Sequence, residues 1–179
     1  MTAKINFDTD NVEFERLEPT DPIDKTFQSS DNEFTDYYQI QSQYDLQEGL
    51  ARTYLLKIDD RVVGYVSLAM AHLRKESTEQ TQAKESDGNI PALLISHLSA
   101  HKDHPREGIG TRLVDESLRF ATKYSEYIGC RYLMLNPRDD DGVRKFYESY
   151  GFTYISNEKD DKERDAFILD IKQEKKSTD

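Results

Sequence analysis

Residues 92–110 read ALLISHLSAHKDHPREGIG, an apolar run of strand length followed by a polar loop that ends in Gly108-Ile109-Gly110. The run is typical of a strand buried on both faces. The residues after it carry apolar side chains at helical spacing, and Gly129 stands where a helix C-terminal glycine belongs. The members of this apolar face are Ile109, Leu113, Leu118, Ala121, Tyr124 and Ile128. The stretch therefore predicts a strand, a glycine loop and a long helix.

The glycine loop suggests a site for an anion. Gly108 and Gly110 offer backbone N–H groups that no side chain masks, next to the positive end of a helix, which suits a diphosphate. A plain tight turn ahead of a helix explains the two glycines equally well. Arg106 and Arg112 flank the loop and are able to add charge-assisted contacts.

Two common phosphate loops are excluded by neighbouring residues. A dinucleotide-binding loop needs a third glycine where Leu113 stands, and an acidic residue after the next strand, which ends in Asn136-Pro137 instead. A Walker loop needs Gly-Lys-Ser/Thr, which the sequence lacks. The expected ligand is a diphosphate of another kind.

The chain before this stretch predicts an edge strand near Val12–Leu17 and a helix over Asp31–Ala51 with Asp31 as its N-cap. TYLLKI and RVVGYVSLAM, separated by Asp59-Asp60, predict a β-hairpin. The polar segment Arg74–Asn89 is expected to be a long exposed loop, either a substrate-side flap or a tolerated insertion.

The chain after it predicts a short strand, RYLML, and a helix that begins in the acidic run Asp139-Asp140-Asp141 and ends at Gly151. FTYIS and DAFILDI are the expected last strands. Together the elements predict a mixed α/β fold, with one domain over residues 1–172 and a frayed tail over 173–179. The glycine loop then lies at the carboxyl end of a strand, where open sheets bind ligands.

Composition and charge narrow the class of protein. The net charge is −11, and residues 1–50 hold 3 Lys/Arg against 12 Asp/Glu, so the acidity is mostly N-terminal. A non-specific nucleic-acid binder is expected to carry a cluster of basic residues, and the totals show none. This weakens the case for an RNA substrate. No run approaches the roughly 18 apolar residues of a membrane helix. The single cysteine, Cys130, cannot form an internal disulfide and has no metal-site cluster around it. We therefore expect a cytoplasmic protein that binds neither a membrane nor a metal.

Two longer segments carry a family resemblance. PALLISHLSAHKDHPREGIGTRLVDESLRFA, followed by GCRYLMLNPRDDDGVRKFYESYGF, resembles the GNAT superfamily of N-acetyltransferases. The glycine loop and the FYxxxGF segment occur at the separation typical of that family. FQSSDNEFTDYY, GLARTYLL and VVGYVSL are more loosely similar to the subgroup that contains tRNA-acetylating toxins. The resemblance implies an α/β (α+β) fold with a mostly antiparallel sheet, a splayed strand pair and helices on both faces.

The resemblance also implies roles for individual residues, with acetyl-CoA as co-substrate. The diphosphate is expected on Arg106, Glu107, Gly108, Ile109, Gly110 and Thr111. The pantetheine arm is expected along the backbone of Leu98, Ser99 and Ala100, where an N–H would polarise the thioester carbonyl. Asn136 and Phe146 are expected to touch the cofactor. Tyr147 is expected to protonate the departing thiolate, because a phenol and a thiol have similar pKa values.

One residue departs from the family pattern. Pro105 stands where the family loop usually has Gln or Arg, and proline has no N–H to give to a phosphate.

The acceptor side of the reaction is less determined by the sequence. His97 has a pKa suited to accepting the proton of an amine, although a structural histidine is the other interpretation. His72, His101 and His104 are weaker candidates for this proton acceptor. We expect a primary amine of a peptide, protein or small molecule as acceptor. The alternatives are an aminoacyl-tRNA acceptor and a non-catalytic acetyl-CoA-binding module, and a homodimer remains open.

Overall fold

The computed structural model describes residues 5, 7, 11–74, 89–136, 140–155 and 165–172, without the side chain of Arg74. The expected loop Arg74–Asn89 and the expected tail 173–179 therefore lie largely or wholly outside the described residues. No helix in the described ranges is long and apolar enough to cross a membrane.

The described elements follow the predicted order. The strands are β1 Val12–Arg16, β2 Arg52–Ile58, β3 Arg61–Arg74, β4 Asn89–Ala100, β5 Tyr132–Leu135, β6 Thr153–Ile155 and β7 Ala166–Asp170. The helices are α1 Asn32–Asp36, α2 Ser42–Gln47, α3 Ile109–Tyr124 and α4 Asp141–Tyr150, and a π-helical turn, Tyr37–Gln41, joins the first two.

The strands form one sheet in the order β1-β2-β3-β4-β5-β7-β6, which confirms the mixed, mostly antiparallel fold. β1 lies at one edge, as its alternating sequence predicts. β4 and β5 run parallel, and their register pairs Ala92 with Tyr132 and Ile95 with Leu135. The other registers that the structure describes, β1–β2, β2–β3, β5–β7 and β6–β7, are antiparallel.

Two compact units divide the chain, the first with residues 1–69 and 96–117 and the second with residues 70–95 and 118–179. The single domain expected over residues 1–172 stays a prediction. The main buried cluster of the first unit contains Leu17, Phe27, Tyr37, Tyr38, Leu46, Leu55, Val62 and Tyr65. That of the second contains Leu73, Ile90, Ala92, Tyr132, Met134, Ile155, Ala166 and Ile168.

The sequence correctly predicted the hairpin turn, the N-cap of α1 and the glycine that ends α4. The hairpin turn forms at Asp59 and Asp60, which both adopt positive φ (48° and 63°), as a tight two-residue turn requires. Asp31 caps α1 by accepting from the Glu33 N–H. Gly151 ends α4 in the left-handed conformation with φ 108°.

Helix α3 is shorter than its apolar pattern predicted. It ends at Tyr124, because Glu126 and Tyr127 donate to carbonyls three residues earlier, and the Ser125 hydroxyl donates to the Thr122 carbonyl. Ile128 is consequently exposed, and Gly129 lies beyond the helix instead of capping it. The prediction of Gly129 as the helix C-terminal glycine was wrong.

Two other elements differ from their predictions. The helix expected over Asp31–Ala51 is interrupted by the π-helical turn and ends at Gln47. β4 begins at Asn89, before Pro91, and it is not buried on both faces. Most residues from Leu93 onward are half-buried.

A close approach between β3 and α3 positions the glycine loop. A Cβ atom built on Gly64 would lie 2.5 Å from Cγ2 of Ile109 and 3.2 Å from both Cδ1 of Leu113 and the Ser99 carbonyl oxygen. Ile109 and Leu113 are fully buried. The first turn of α3 therefore rests directly on the backbone of β3, and only glycine leaves room for it.

Gly64→Ala is expected to destabilise the protein. The new methyl group overlaps a branched side chain that cannot rotate away freely, and such overpacking costs about 1–3 kcal/mol. For a chain of this size each kcal/mol lowers the melting temperature by about 2–4 °C, which differential scanning calorimetry measures.

Gly129→Ala is the matched control, because its added Cβ meets only Cγ of Pro91 at 3.7 Å, an ordinary contact. Its unfolding free energy is expected to change by less than about 0.5 kcal/mol. Equal melting temperatures for the two variants would contradict the packing of α3 on Gly64.

Candidate active site

Among the described residues, the ladder between β4 and β5 stops before the end of β4. The β4–β5 ladder ends at Ile95 and Leu135, whereas β4 continues for five more residues to Ala100. On its other side β4 neighbours β3, and the His101 N–H donates to the Val63 carbonyl at 2.8 Å. In the described chain, no strand register covers residues 96–100 on the β5 side, so Leu98, Ser99 and Ala100 lie where an extended ligand could pair with them.

The side chains of His97 and Ser99, at this end of β4, contact other residues of the first unit. Ser99 is 7% exposed, and its hydroxyl donates to Ser29 Oγ at 2.8 Å. His97 stacks on Tyr37 with ring centroids 3.4 Å apart. His97 and Ser99 thus both reach the segment that contains residues 29–37, as strand alternation predicts for one face.

The loop between β4 and α3 is held by its histidines. The Asp103 N–H donates to His101 Nδ1 at 3.2 Å, and His104 Nδ1 lies 3.1 Å from Glu107 Oε2. Arg106 adopts φ 60° and Gly108 φ 86°, both in the left-handed region. The left-handed conformation is costly for a residue with a side chain, so Arg106 is strained where a glycine would not be.

The first backbone donors of α3 have no acceptors within the helix itself. The helix begins at Ile109, and the Arg112 N–H makes an intrahelical bond, to the Gly108 carbonyl at 2.9 Å. The N–H groups of the preceding residues lie at the N-terminus of a 16-residue helix, where intrahelical acceptors are lacking. The first turn carries no acidic side chain. This end is therefore built to receive a negatively charged group.

Arg106 and Arg112, the two arginines beside the loop, differ in whether they already form an ion pair. The Arg112 guanidinium is paired with Glu116 at 2.9 Å, one turn along α3. Arg106 is exposed, and within the described residues it takes part in no ion pair. Of these two arginines, Arg106 is therefore the one that an anion can bind without breaking an ion pair of the described residues.

The second unit holds the remaining predicted residues, Asn136, Phe146 and Tyr147. Asn136 is exposed directly after β5. Phe146 and Tyr147 lie on α4, which Asp140 caps by accepting from the Val143 N–H at 2.9 Å. Tyr147 is 6% exposed and packs against Phe146, Phe152 and Phe167. This burial raises the pKa of the Tyr147 hydroxyl, which therefore stays protonated.

Sequence reasoning did not find the surroundings of His97. Besides stacking on Tyr37, its ring meets Phe34 edge-on at 6.0 Å, and its Nδ1 lies 3.4 Å from Ser96 Oγ. Burial lowers the pKa of His97, against the opposing charges of Asp45 and Glu33, so the imidazole is neutral at neutral pH. A neutral imidazole can accept a proton.

No group of three or more His, Cys, Asp or Glu placed to hold a metal ion occurs among the residues that the structure describes.

Comparison with known proteins gives one family and several related structures. A family described as "Acetyltransferase (GNAT) domain" matches residues 49–154. A protein named tRNA-acetylating toxin from Mycobacterium tuberculosis (strain ATCC 25618 / H37Rv) is 22% identical over 137 residues, which cover 76% of this chain and 81% of that protein.

Two solved structures share the fold over most of both chains. "AtaT complexed with acetyl-methionyl-tRNAfMet" matches with a TM-score of 0.84 and 18% identity, covering 94% of this chain and 100% of that one. "Crystal structure of AtaTR bound with AcCoA" matches with a TM-score of 0.79 and 18% identity, covering 94% and 98%.

The left-handed backbone at Arg106 generates a prediction about stability. We expect Arg106→Gly to be more stable than Arg106→Ala by about 1 kcal/mol, because both remove the guanidinium but only glycine adopts φ 60° without strain. Chemical denaturation of the ligand-free proteins measures this difference. An alanine variant as stable as the glycine variant would show that the loop is not strained at this residue.

Proposed function

Because the chain belongs to the GNAT family of acetyltransferases, we propose that it transfers the acetyl group of acetyl-CoA to a primary amine by direct attack in a ternary complex. The observation that carries this proposal is the start of α3, where backbone donors without intrahelical acceptors follow a loop with two left-handed residues. Acetyl-CoA supplies the diphosphate that such a helix end binds.

In this proposal the N–H groups of Gly108, Ile109, Gly110 and Thr111 bind the diphosphate, with Glu107 contributing only its backbone. Arg106 adds a charge-assisted contact and offsets the donor missing at Pro105.

The strand end of β4 then binds the pantetheine arm. Its edge beyond Ile95 is free of a β5 ladder, which leaves the backbone of Leu98, Ser99 and Ala100 for the ligand. One N–H of this strand end polarises the thioester carbonyl as negative charge develops on its oxygen. Asn136 and Phe146 complete the contacts to the cofactor.

His97 and Tyr147 handle the protons. The neutral His97 imidazole accepts one proton from the acceptor's ammonium group, which frees the nitrogen lone pair to attack the thioester carbon. As the C–S bond breaks, Tyr147 gives its hydroxyl proton to the departing sulfur, and it regains a proton from the nitrogen of the new amide. The products are the acetylated amine, free CoA and one proton, which leaves from His97 to water.

For the acceptor we favour the amino group of an aminoacyl-tRNA. The support is the relative named tRNA-acetylating toxin, whose similarity covers three quarters of this chain, together with the fold shared with a toxin bound to acetyl-methionyl-tRNA. The second candidate is a basic peptide or small amine, which the acidic N-terminal 50 residues favour, with 12 Asp/Glu against 3 Lys/Arg.

Tyr147→Phe is expected to lower kcat by about 100-fold or more, since it removes the general acid and keeps the packed ring. The affinity for acetyl-CoA, measured by isothermal titration calorimetry, is expected to stay the same. Because burial raises the Tyr147 pKa, the wild-type donor stays protonated, and kcat is expected to show no decline up to about pH 10, the ordinary tyrosine value.

Tyr127→Phe is the control for this measurement, because Tyr127 is 76% exposed and lies outside the proposed site. Its kcat is expected to match that of the wild type. If Tyr147→Phe turns over acetyl-CoA as fast as this control, Tyr147 is not the proton donor.

The acceptor is identified by incubating the protein and isotopically labelled acetyl-CoA with aminoacylated tRNA, with deacylated tRNA, and with a peptide library bearing free N-termini and lysines. Mass spectrometry is expected to find the label on the amino acid of the charged tRNA and none on deacylated tRNA. Label on peptides alone would establish the second candidate, and label on no amine would overturn the proposed transferase activity.

A further inference from the structure

One carboxylate in the first unit, that of Asp45, is held in place without a positive partner among the described residues. Asp45 Oδ2 accepts from the Tyr37 hydroxyl at 2.9 Å, and its Oδ1 accepts from Gln41 Nε2 at 2.9 Å. Both donors are neutral, and the ion pairs found among the described residues do not include Asp45. A carboxylate has about four acceptor positions, so two remain for another donor.

This carboxylate is tied to His97 through a single side chain. Tyr37 stacks its ring face on the His97 imidazole, with centroids 3.4 Å apart and planes 11° from parallel, while its hydroxyl donates to Asp45. Burial raises the pKa of Tyr37 to about 12, so the hydroxyl remains a donor at any physiological pH. Asp45 and His97 therefore keep a fixed spacing.

The segment that carries Tyr37 and Asp45 has an unusual backbone. The π-helical turn Tyr37–Gln41 contributes both residues that bond to Asp45, whereas Asp45 itself lies on α2. π-helical turns occur often at functional sites, because they redirect side chains that a regular helix would place elsewhere. Phe34, from α1, adds an aromatic wall at the His97 ring.

The charges of this group suit a cation. The imidazole is neutral and does not neutralise the carboxylate, and Glu33 contributes a second negative charge close enough to influence His97. A carboxylate that still has acceptor positions to offer attracts an alkylammonium ion through charge-assisted hydrogen bonds. The acceptor amine arrives in that form, since the ordinary pKa of an α-amino group is about 8.

We propose that Asp45, fixed by Tyr37 and Gln41, binds the ammonium form of the acceptor and presents it to His97 for deprotonation. Asp45 is thus the residue that selects amines over other nucleophiles. The inference rests on the proposed function and goes beyond it, because it assigns the recognition of the charged amine to one side chain.

The test compares an aminoacyl-tRNA with the same tRNA that carries the corresponding α-hydroxy acid, which lacks the positive charge. Binding of both is measured at pH 6.5 by fluorescence anisotropy, without acetyl-CoA, so that the result does not depend on turnover. We expect the wild type to prefer the amine by about tenfold or more, as for other charge-assisted contacts. In Asp45→Asn the preference is expected to fall to about one.

Asp36→Asn is the matched control, since it removes the same charge from an exposed position of α1. Its preference for the amine is expected to equal that of the wild type. Equal losses in both variants would point to overall charge instead of Asp45 and would overturn the proposal.

A second variant protects the test against misfolding. Tyr37→Phe keeps the ring that stacks on His97 but frees Asp45 from one donor, so a partial loss of preference is expected with an unchanged circular dichroism spectrum. An unaltered preference in a folded Asp45→Asn protein would refute the role of Asp45, even where acetyl transfer itself is intact. Absence of acetyl transfer by the wild type would instead refute the proposed function.

Discussion

The first turn of helix α3 lies directly on the backbone of β3, and this contact determines where the N-terminus of the helix is found. The approach is so close that a methyl group at Gly64 would overlap Ile109. Ile109 is also the middle residue of Gly108-Ile109-Gly110, so the side chain that fills the core and the backbone donors that face outward belong to the same three residues. Packing thereby fixes the donors before any ligand arrives, which lowers the entropy cost of binding.

The parts of the fold with strong local signals could be predicted from the sequence. Apolar periodicity identified α3 and α4, and the Asp59-Asp60 pair fixed the hairpin turn. The same periodicity overestimated α3, because Ile128 continues the apolar spacing although the chain has already left the helix. Apolar spacing gives no information about the Ser125 hydroxyl, which donates to the Thr122 carbonyl at the end of the helix. Gly64 carried an available signal, since glycine inside a strand often marks a close approach.

The surroundings of His97 could not be predicted in this way. The residues that meet there come from segments about sixty positions apart, and the π-helical turn changes which side chains share a face with Tyr37. Tyr37 is buried in the main cluster of the first unit. Its hydroxyl bond to Asp45 depends on tertiary packing alone. The sequence therefore indicated a histidine of suitable pKa, but not what surrounds it.

His97 and Asp45 have different neighbours, and Tyr37 is the residue that contacts both of them. Burial lowers the pKa of His97, while the Asp45 carboxylate accepts hydrogen bonds from Tyr37 and Gln41. The ion pairs found among the described residues do not join His97 to Asp45. Tyr37 contacts both groups, one through its ring and the other through its hydroxyl, and so keeps a base and an anion close together without letting them become an ion pair.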